Sequence, residues 1–138
     1  MIKNYVKEDY LSVWVGKCEN IELFNAYIKF HYLEDDDESC TFELGKDFKI
    51  LTYEEEYSLV HYGDTKTNNI SELLNTGAPD YVTDFFVKQY GSCLKKEYNC
   101  CVMFYDMKYD GQVDEEINEQ YGEFKFLGNM VADKFDLL

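Results

Sequence analysis

The run Cys100-Cys101-Val102-Met103-Phe104-Tyr105 limits most what this chain can become. Successive side chains of a strand point to opposite faces. Both alternating sets are apolar here, so a strand built from this run belongs in the centre of a sheet, covered at least in part on both sides. A second segment, LSVWVG at 11–16, is rich in β-branched and aromatic residues and stops at Gly16. Leu11, Val13 and Val15 share one face, and Trp14 takes the other. GEFKFLGNM at 122–130 alternates, with Phe124, Phe126 and Met130 inward and Glu123 and Lys125 outward. It is expected as a half-exposed strand near an edge. YEEEYSLVHYG at 53–63 fits a strand through Tyr53, Tyr57, Leu59 and His61, or a helix through Tyr53, Tyr57 and Val60. Aromatic content and Gly63 favour the strand.

Between these runs the pattern turns helical. Asn20 is a favoured N-cap, Glu22 sits in the first turn, and Phe24, Tyr27, Ile28 and His31 fall on one stripe. The spacing predicts a helix of about three turns over 21–33. Ser39 then caps a short helix reaching Phe48. DTKTNN at 64–69 reads as a polar loop, and 70–75 as a short helix closed by Gly77. Pro79 opens another helix, with Val82, Phe85, Phe86, Gln89 and Tyr90 inward, running to about Lys96. DGQVDEEINEQY, after the central strand, is too long for a tight hairpin and strongly acidic. The resulting order is β-α-α-β-α-α-β-β. It implies one α+β domain over residues 1–138, with about four strands in a sheet and helices packed against it.

Charge narrows the function. The chain carries 13 basic and 28 acidic residues, a net charge of −15, and every basic residue is Lys. The excess is distributed: 6 Lys against 11 acids in residues 1–50, 4 against 8 in 51–100, and 3 against 9 in 101–138. Such a field repels nucleic acid and anionic membrane and draws in basic proteins. The lack of Arg also removes the usual bidentate phosphate reader. The same acidity would serve solubility.

The opening MIKNYVKEDY has no apolar core of a secretory signal, and no run of about 18 apolar residues spans a membrane. Five cysteines (Cys18, Cys40, Cys93, Cys100 and Cys101), an odd number with no C-x-x-C spacing, fit reduced thiols in a cytoplasm.

No chemical signature stands out. The contiguous acids of EDDDE (Glu34, Asp35, Asp36, Asp37, Glu38) lack the alternate spacing and the turn glycine of a calcium loop. They read as a solvated loop or as part of a surface for a basic partner. Cys18 or Cys93 with His31 or His61 could form a nucleophile pair only if the fold brought them together. Cys100 and Cys101 read as small buried hydrophobes. The glycines are scattered, with no phosphate loop. No catalytic residue, metal or cofactor is expected.

Val13-Trp14-Val15-Gly16, the stretch from Asp47-Phe48 to Glu56, and Phe104-Tyr105-Asp106 within CCVMFYDMKYDG, closing on FKFLGNM, together resemble the immunity protein 22 family of bacterial polymorphic-toxin systems. The likeness runs from about Leu11 to Met130. It implies a cytoplasmic antitoxin that binds and blocks a cognate protein toxin without doing chemistry. Such toxins are often nucleases with basic clefts, which the acidity would complement. Three acidic segments are then candidates for the partner surface: Asp35, Asp36, Asp37 and Glu38; Glu54, Glu55 and Glu56; and the stretch from Asp106 through Asp110 to Glu119, with Tyr53, Tyr57 and Tyr109 as aromatic anchors. The competing reading is a small hydrolase or ligand-binding domain; a third is a subunit of a larger assembly. A toxin-like gene upstream would favour the first reading over both.

Overall fold

The computed structural model describes residues 5–29, 31–33, 36–50 and 58–133, with 31–33 and 36–41 described by their backbone. The elements are β1 (Val6–Lys17), α1 (Ile21–Ile28), β2 (His31–Leu33), β3 (Asp36–Thr41), α2 (Glu43–Phe48), β4 (Ser58–Asn69), α3 (Ile70–Leu73), α4 (Asp80–Tyr90), β5 (Cys93–Met107), β6 (Glu115–Asn118) and β7 (Gly122–Val131). Five strands form one antiparallel sheet in the order β4-β5-β1-β7-β6, and β2 and β3 form a separate pair. The α+β expectation holds, with five strands in the main sheet rather than about four.

The doubly apolar run behaves as its sequence demands. It lies in β5, flanked by β4 and β1, and every residue from Tyr98 to Met107 is buried. Cys100, Val102 and Phe104 enter one core with Trp14, Phe24, Tyr27, Phe42 and Phe48, which α1 and α2 help to build. Cys101, Met103 and Tyr105 enter a second core with Leu11, Val13, Val15, Ile70, Leu73, Val82 and Phe86, which α3 and α4 help to build. The sheet is therefore the middle layer of three.

Several boundaries depart from the sequence reading. The first helix ends at Ile28, not near Leu33; Lys29 is extended, and His31 starts a strand. His31, Tyr32 and Leu33 pair with Thr41, Cys40 and Asp36 of β3 instead of prolonging the helix. Ser39 accordingly lies in β3, and α2 starts at Glu43. Asp36, Asp37 and Glu38 are strand residues rather than a loop. The 64–69 segment extends β4, because β5 begins at Cys93 and offers it a partner. The helix opened by Pro79 stops at Tyr90, where Gly91 takes φ +85° and its N–H returns to the Val87 carbonyl. The acidic connection contains β6, so β6 and β7 make a hairpin; β6 is the edge, and β7 lies next to it, near the edge as expected.

Alternation in β7 is broken by a bulge, where the register against β1 slips between Val13 and Trp14. Phe124 and Phe126 face the Trp14 core, whereas Leu127 and Met130 belong to the opposite one. The simple inward set of Phe124, Phe126 and Met130 is thus divided between two faces.

Candidate partner interface

β5 ends in an irregularity that shapes the acidic turn after it. Asp106 is buried with φ +55°, a left-handed conformation that Asp tolerates better than most residues. The strand's alternation reverses there: Met107 and Tyr109 join the Trp14 core, opposite Tyr105. Buried Ser12 secures this reversal. Its Oγ donates to the Met107 carbonyl at 2.8 Å and accepts from the Tyr109 N–H at 3.0 Å. A polar residue inside the apolar LSVWVG strand was the available signal for such a bond, since a buried hydroxyl needs partners. The sequence reading passed over it.

Tyr109 was expected as a surface anchor. It is 0% exposed and belongs to the core. The reversal at Asp106 turns its ring inward, edge-on to Tyr5 at 4.8 Å and Phe126 at 4.8 Å. Its hydroxyl donates to the Phe48 carbonyl at 2.6 Å and accepts from the Val113 N–H at 2.9 Å. The Asn129 amide donates to its carbonyl at 2.6 Å. Tyr109 therefore joins α2, the turn and β7. Asp106, also proposed for contact, is likewise buried, so both residues shape the turn from within.

The turn itself is tightly specified. The Gln112 N–H donates to Asp110 Oδ1 at 2.9 Å, and Gln112 Nε2 donates to the Tyr5 hydroxyl at 3.0 Å. The Phe126 N–H donates to the Asp114 carbonyl at 2.8 Å, and Lys125 Nζ meets Asp114 Oδ2 at 2.9 Å. Asp110, Asp114, Glu115 and Glu119 are exposed, and Lys96 pairs with Glu115 at 3.1 Å. The turn forms one wall of an open cleft of about 580 Å³. α4 supplies the other wall with Phe85, Gln89 and Tyr90, and β7 contributes Phe126 and Asn129. Phe85 and Tyr90, expected inward, are among the exposed large side chains.

Other candidates fall elsewhere. Tyr53, Glu54, Glu55, Glu56, Tyr57, Glu34 and Asp35 lie outside the described residues, and Asp36, Asp37 and Glu38 are placed by backbone alone. Among the thiols, Cys18 and Cys100 lie with sulfurs 4.0 Å apart in the core. Burial raises the Cys100 and Cys101 thiols well above the ordinary range, which disfavours a nucleophilic thiolate. His61 sits opposite Cys101 in the β4–β5 register. Among the described residues no group of three or more His, Cys, Asp or Glu is placed to hold a metal ion, and no helix is long and apolar enough to cross a membrane.

A family model described as Immunity protein 22 matches residues 11–133, most of the chain. The chain belongs to the immunity protein 22 family. No curated protein and no solved structure matches it. Membership of an immunity protein family implies an antitoxin that binds a cognate toxin. The matched span includes β1 from Leu11 onward, both helical layers, the acidic turn and β7.

Proposed function

We propose that this immunity protein 22 member neutralises a basic toxin domain, of the nuclease kind, by covering its working surface, and that it does so in the cytoplasm without catalysis. The observation that carries the proposal is the family match over residues 11–133. The net charge of −15 supports the basic partner, since a field of this sign speeds encounter with a cationic cleft and competes there with nucleic acid. Proposed contacts are the acidic stretches at Asp35, Asp36, Asp37 and Glu38, at Glu54, Glu55 and Glu56 with Tyr53 and Tyr57, and at Asp110 in the turn that Asp106 and Tyr109 hold from inside.

Co-expression with the toxin domain encoded beside it tests the reading: cells carrying both should survive, and cells carrying the toxin alone should not. Raising salt from about 0.05 to 0.5 M should slow association of the purified pair at least tenfold, because steering is screened beyond a Debye length. A flat association rate would assign the acidity to solubility. Two block reversals locate the contacts: Glu54 and Glu56 to Lys, and Asp35, Asp36 and Asp37 to Lys. Loss of protection in a folded variant marks the contacting block.

A further inference from the structure

We propose that Cys18 and Cys100 form an oxidisable pair: a peroxide closes them to a disulfide that staples the β1–α1 junction to the central strand, and added thiol reopens it. This stands apart from the immunity reading and concerns what holds the fold together. The pair is set up by Asn99. The Cys18 N–H donates to Asn99 Oδ1 at 3.0 Å, and Asn99 Nδ2 donates to the Cys18 carbonyl at 2.8 Å, both bonds buried. One side chain thus serves both backbone groups of Cys18, just past the end of β1, and ties that residue to the neighbour of Cys100 in β5. Gly16 completes the arrangement. It lies opposite Cys100 in the β1–β5 register, and a Cβ on it would stand 2.4 Å from the Phe124 ring and 3.0 Å from Cys100 Sγ. The space that a side chain would need there is filled by Phe124 and by the Cys100 sulfur.

The two sulfurs lie 4.0 Å apart, with the Cys100 S–H donating to Cys18 Sγ. Both belong to the Trp14 core, Cys18 at 2% and Cys100 at 0% exposure. A disulfide brings its sulfurs to about 2.05 Å, so about 2 Å has to close, which rotation about the two Cα–Cβ bonds can share. Cys101 turns into the opposite core, and Cys93 is exposed at the start of β5. Closure is a two-electron oxidation in two steps. Peroxide oxidises the Cys18 thiol to a sulfenic acid and is itself reduced to water. The Cys100 sulfur then attacks the Cys18 sulfur; the S–O bond breaks, and the hydroxyl leaves with the Cys100 proton as a second water. Cys18 reacts first because it lies in the junction between β1 and α1, whereas Cys100 is held in the central strand, so local opening reaches Cys18 sooner. Burial of both thiols makes closure slow. The link joins residues 82 positions apart, and so large a ring restricts the unfolded chain strongly.

The test incubates the folded full chain with hydrogen peroxide, blocks the remaining thiols, and maps the peptides by mass spectrometry without reductant. Thermal melting is followed on the same samples. A Cys18–Cys100 linked peptide is expected, with the melting midpoint about 10 °C above that of the reduced chain and restored by dithiothreitol. Cys93→Ala should keep both results and Cys100→Ala should lose both, each chain being compared with itself before and after peroxide. The map of the parent chain decides alone if Cys100→Ala does not fold. A folded parent that yields no Cys18–Cys100 peptide overturns the proposal, as does a link that forms only in urea. Loss of the link in Cys93→Ala also overturns it, since the exposed thiol would then be a participant. A link that forms and leaves the midpoint unchanged, or lowers it, overturns the staple.

Discussion

Trp14 shows how much one residue organises. Its ring lies 5.0 Å from Phe126, 5.3 Å from Tyr109, 5.4 Å from Phe104 and 5.8 Å from Phe48, so β5, β7, α2 and the acidic turn all meet on it. Trp14→Ala should cost about 3–5 kcal/mol in urea unfolding, the usual range for emptying a buried Trp site. Trp14→Phe should cost less than half of that. It keeps a ring and sheds a buried indole N–H that has no acceptor among the described residues. Tyr109→Phe tests the phenol separately. Two backbone groups, the buried Phe48 carbonyl and the part-buried Val113 N–H, would lose this partner, at a cost of about 1–3 kcal/mol. Burial pushes the Tyr109 hydroxyl up to about 12. Its unfolded value is about 10, so the folded chain retains the proton longer. The stability this provides is complete below about pH 10 and is lost as pH rises from there through about 12. Tyr27 shifts in the same direction, through burial and then its bond to Asp47 at 2.7 Å. Unfolding followed against pH should therefore show an alkaline transition whose slope falls in Tyr109→Phe.

Among the elements, the β6–β7 hairpin is the most exacting. Gly122 has φ +138°, and a Cβ built there would collide with the Lys17 carbonyl oxygen of β1. Both the turn and the close approach of β7 to β1 thus require glycine. Gly122→Ala should destabilise by about 1–3 kcal/mol or more, read by chemical denaturation. The loss should fall first on β6, whose strand neighbour is β7, so amide exchange should rise most over residues 115–118. This hairpin also shows where periodicity misleads. The stretch from Glu115 to Asn118 reads as acidic loop because two of its four residues are Glu and its side chains are largely solvated. An edge strand of this kind is specified by its neighbour's hydrogen bonds and by the turn, not by its own pattern.

At the scale of the whole molecule, charge sets the behaviour. With 28 acids against 13 lysines, the folded chain repels itself more than the expanded one. Raising sodium chloride from about 0.01 to 0.3 M should lift Tm by about 3–5 °C, roughly what 1 kcal/mol is worth in a domain of this size. A falling Tm would mean that the ion pairs at Lys96–Glu115 and Lys125–Asp114 outweigh the net repulsion. Exposed pairs of this sort contribute little, so the rise is expected to win.

The sequence by itself determined the central strand, the two faces of 11–16, the capped helix at Asn20, the α+β class, the acidic field and, through Val13-Trp14-Val15-Gly16 and its companion segments, the family. Each of these follows from composition, period-two alternation or local capping, which neighbouring residues specify among themselves. Only the tertiary structure decided that Asp106 reverses the strand and buries Tyr109, that 64–69 is strand, and that Phe85 and Tyr90 face out beside the acidic turn. Those outcomes depend on partners distant in sequence: Ser12 across 97 residues for the Tyr109 amide, β5 for the end of β4, and the Gly128 bulge for the seat of α4. A local pattern carries no record of such partners, because backbone hydrogen bonding and packing are satisfied by whatever the fold brings alongside.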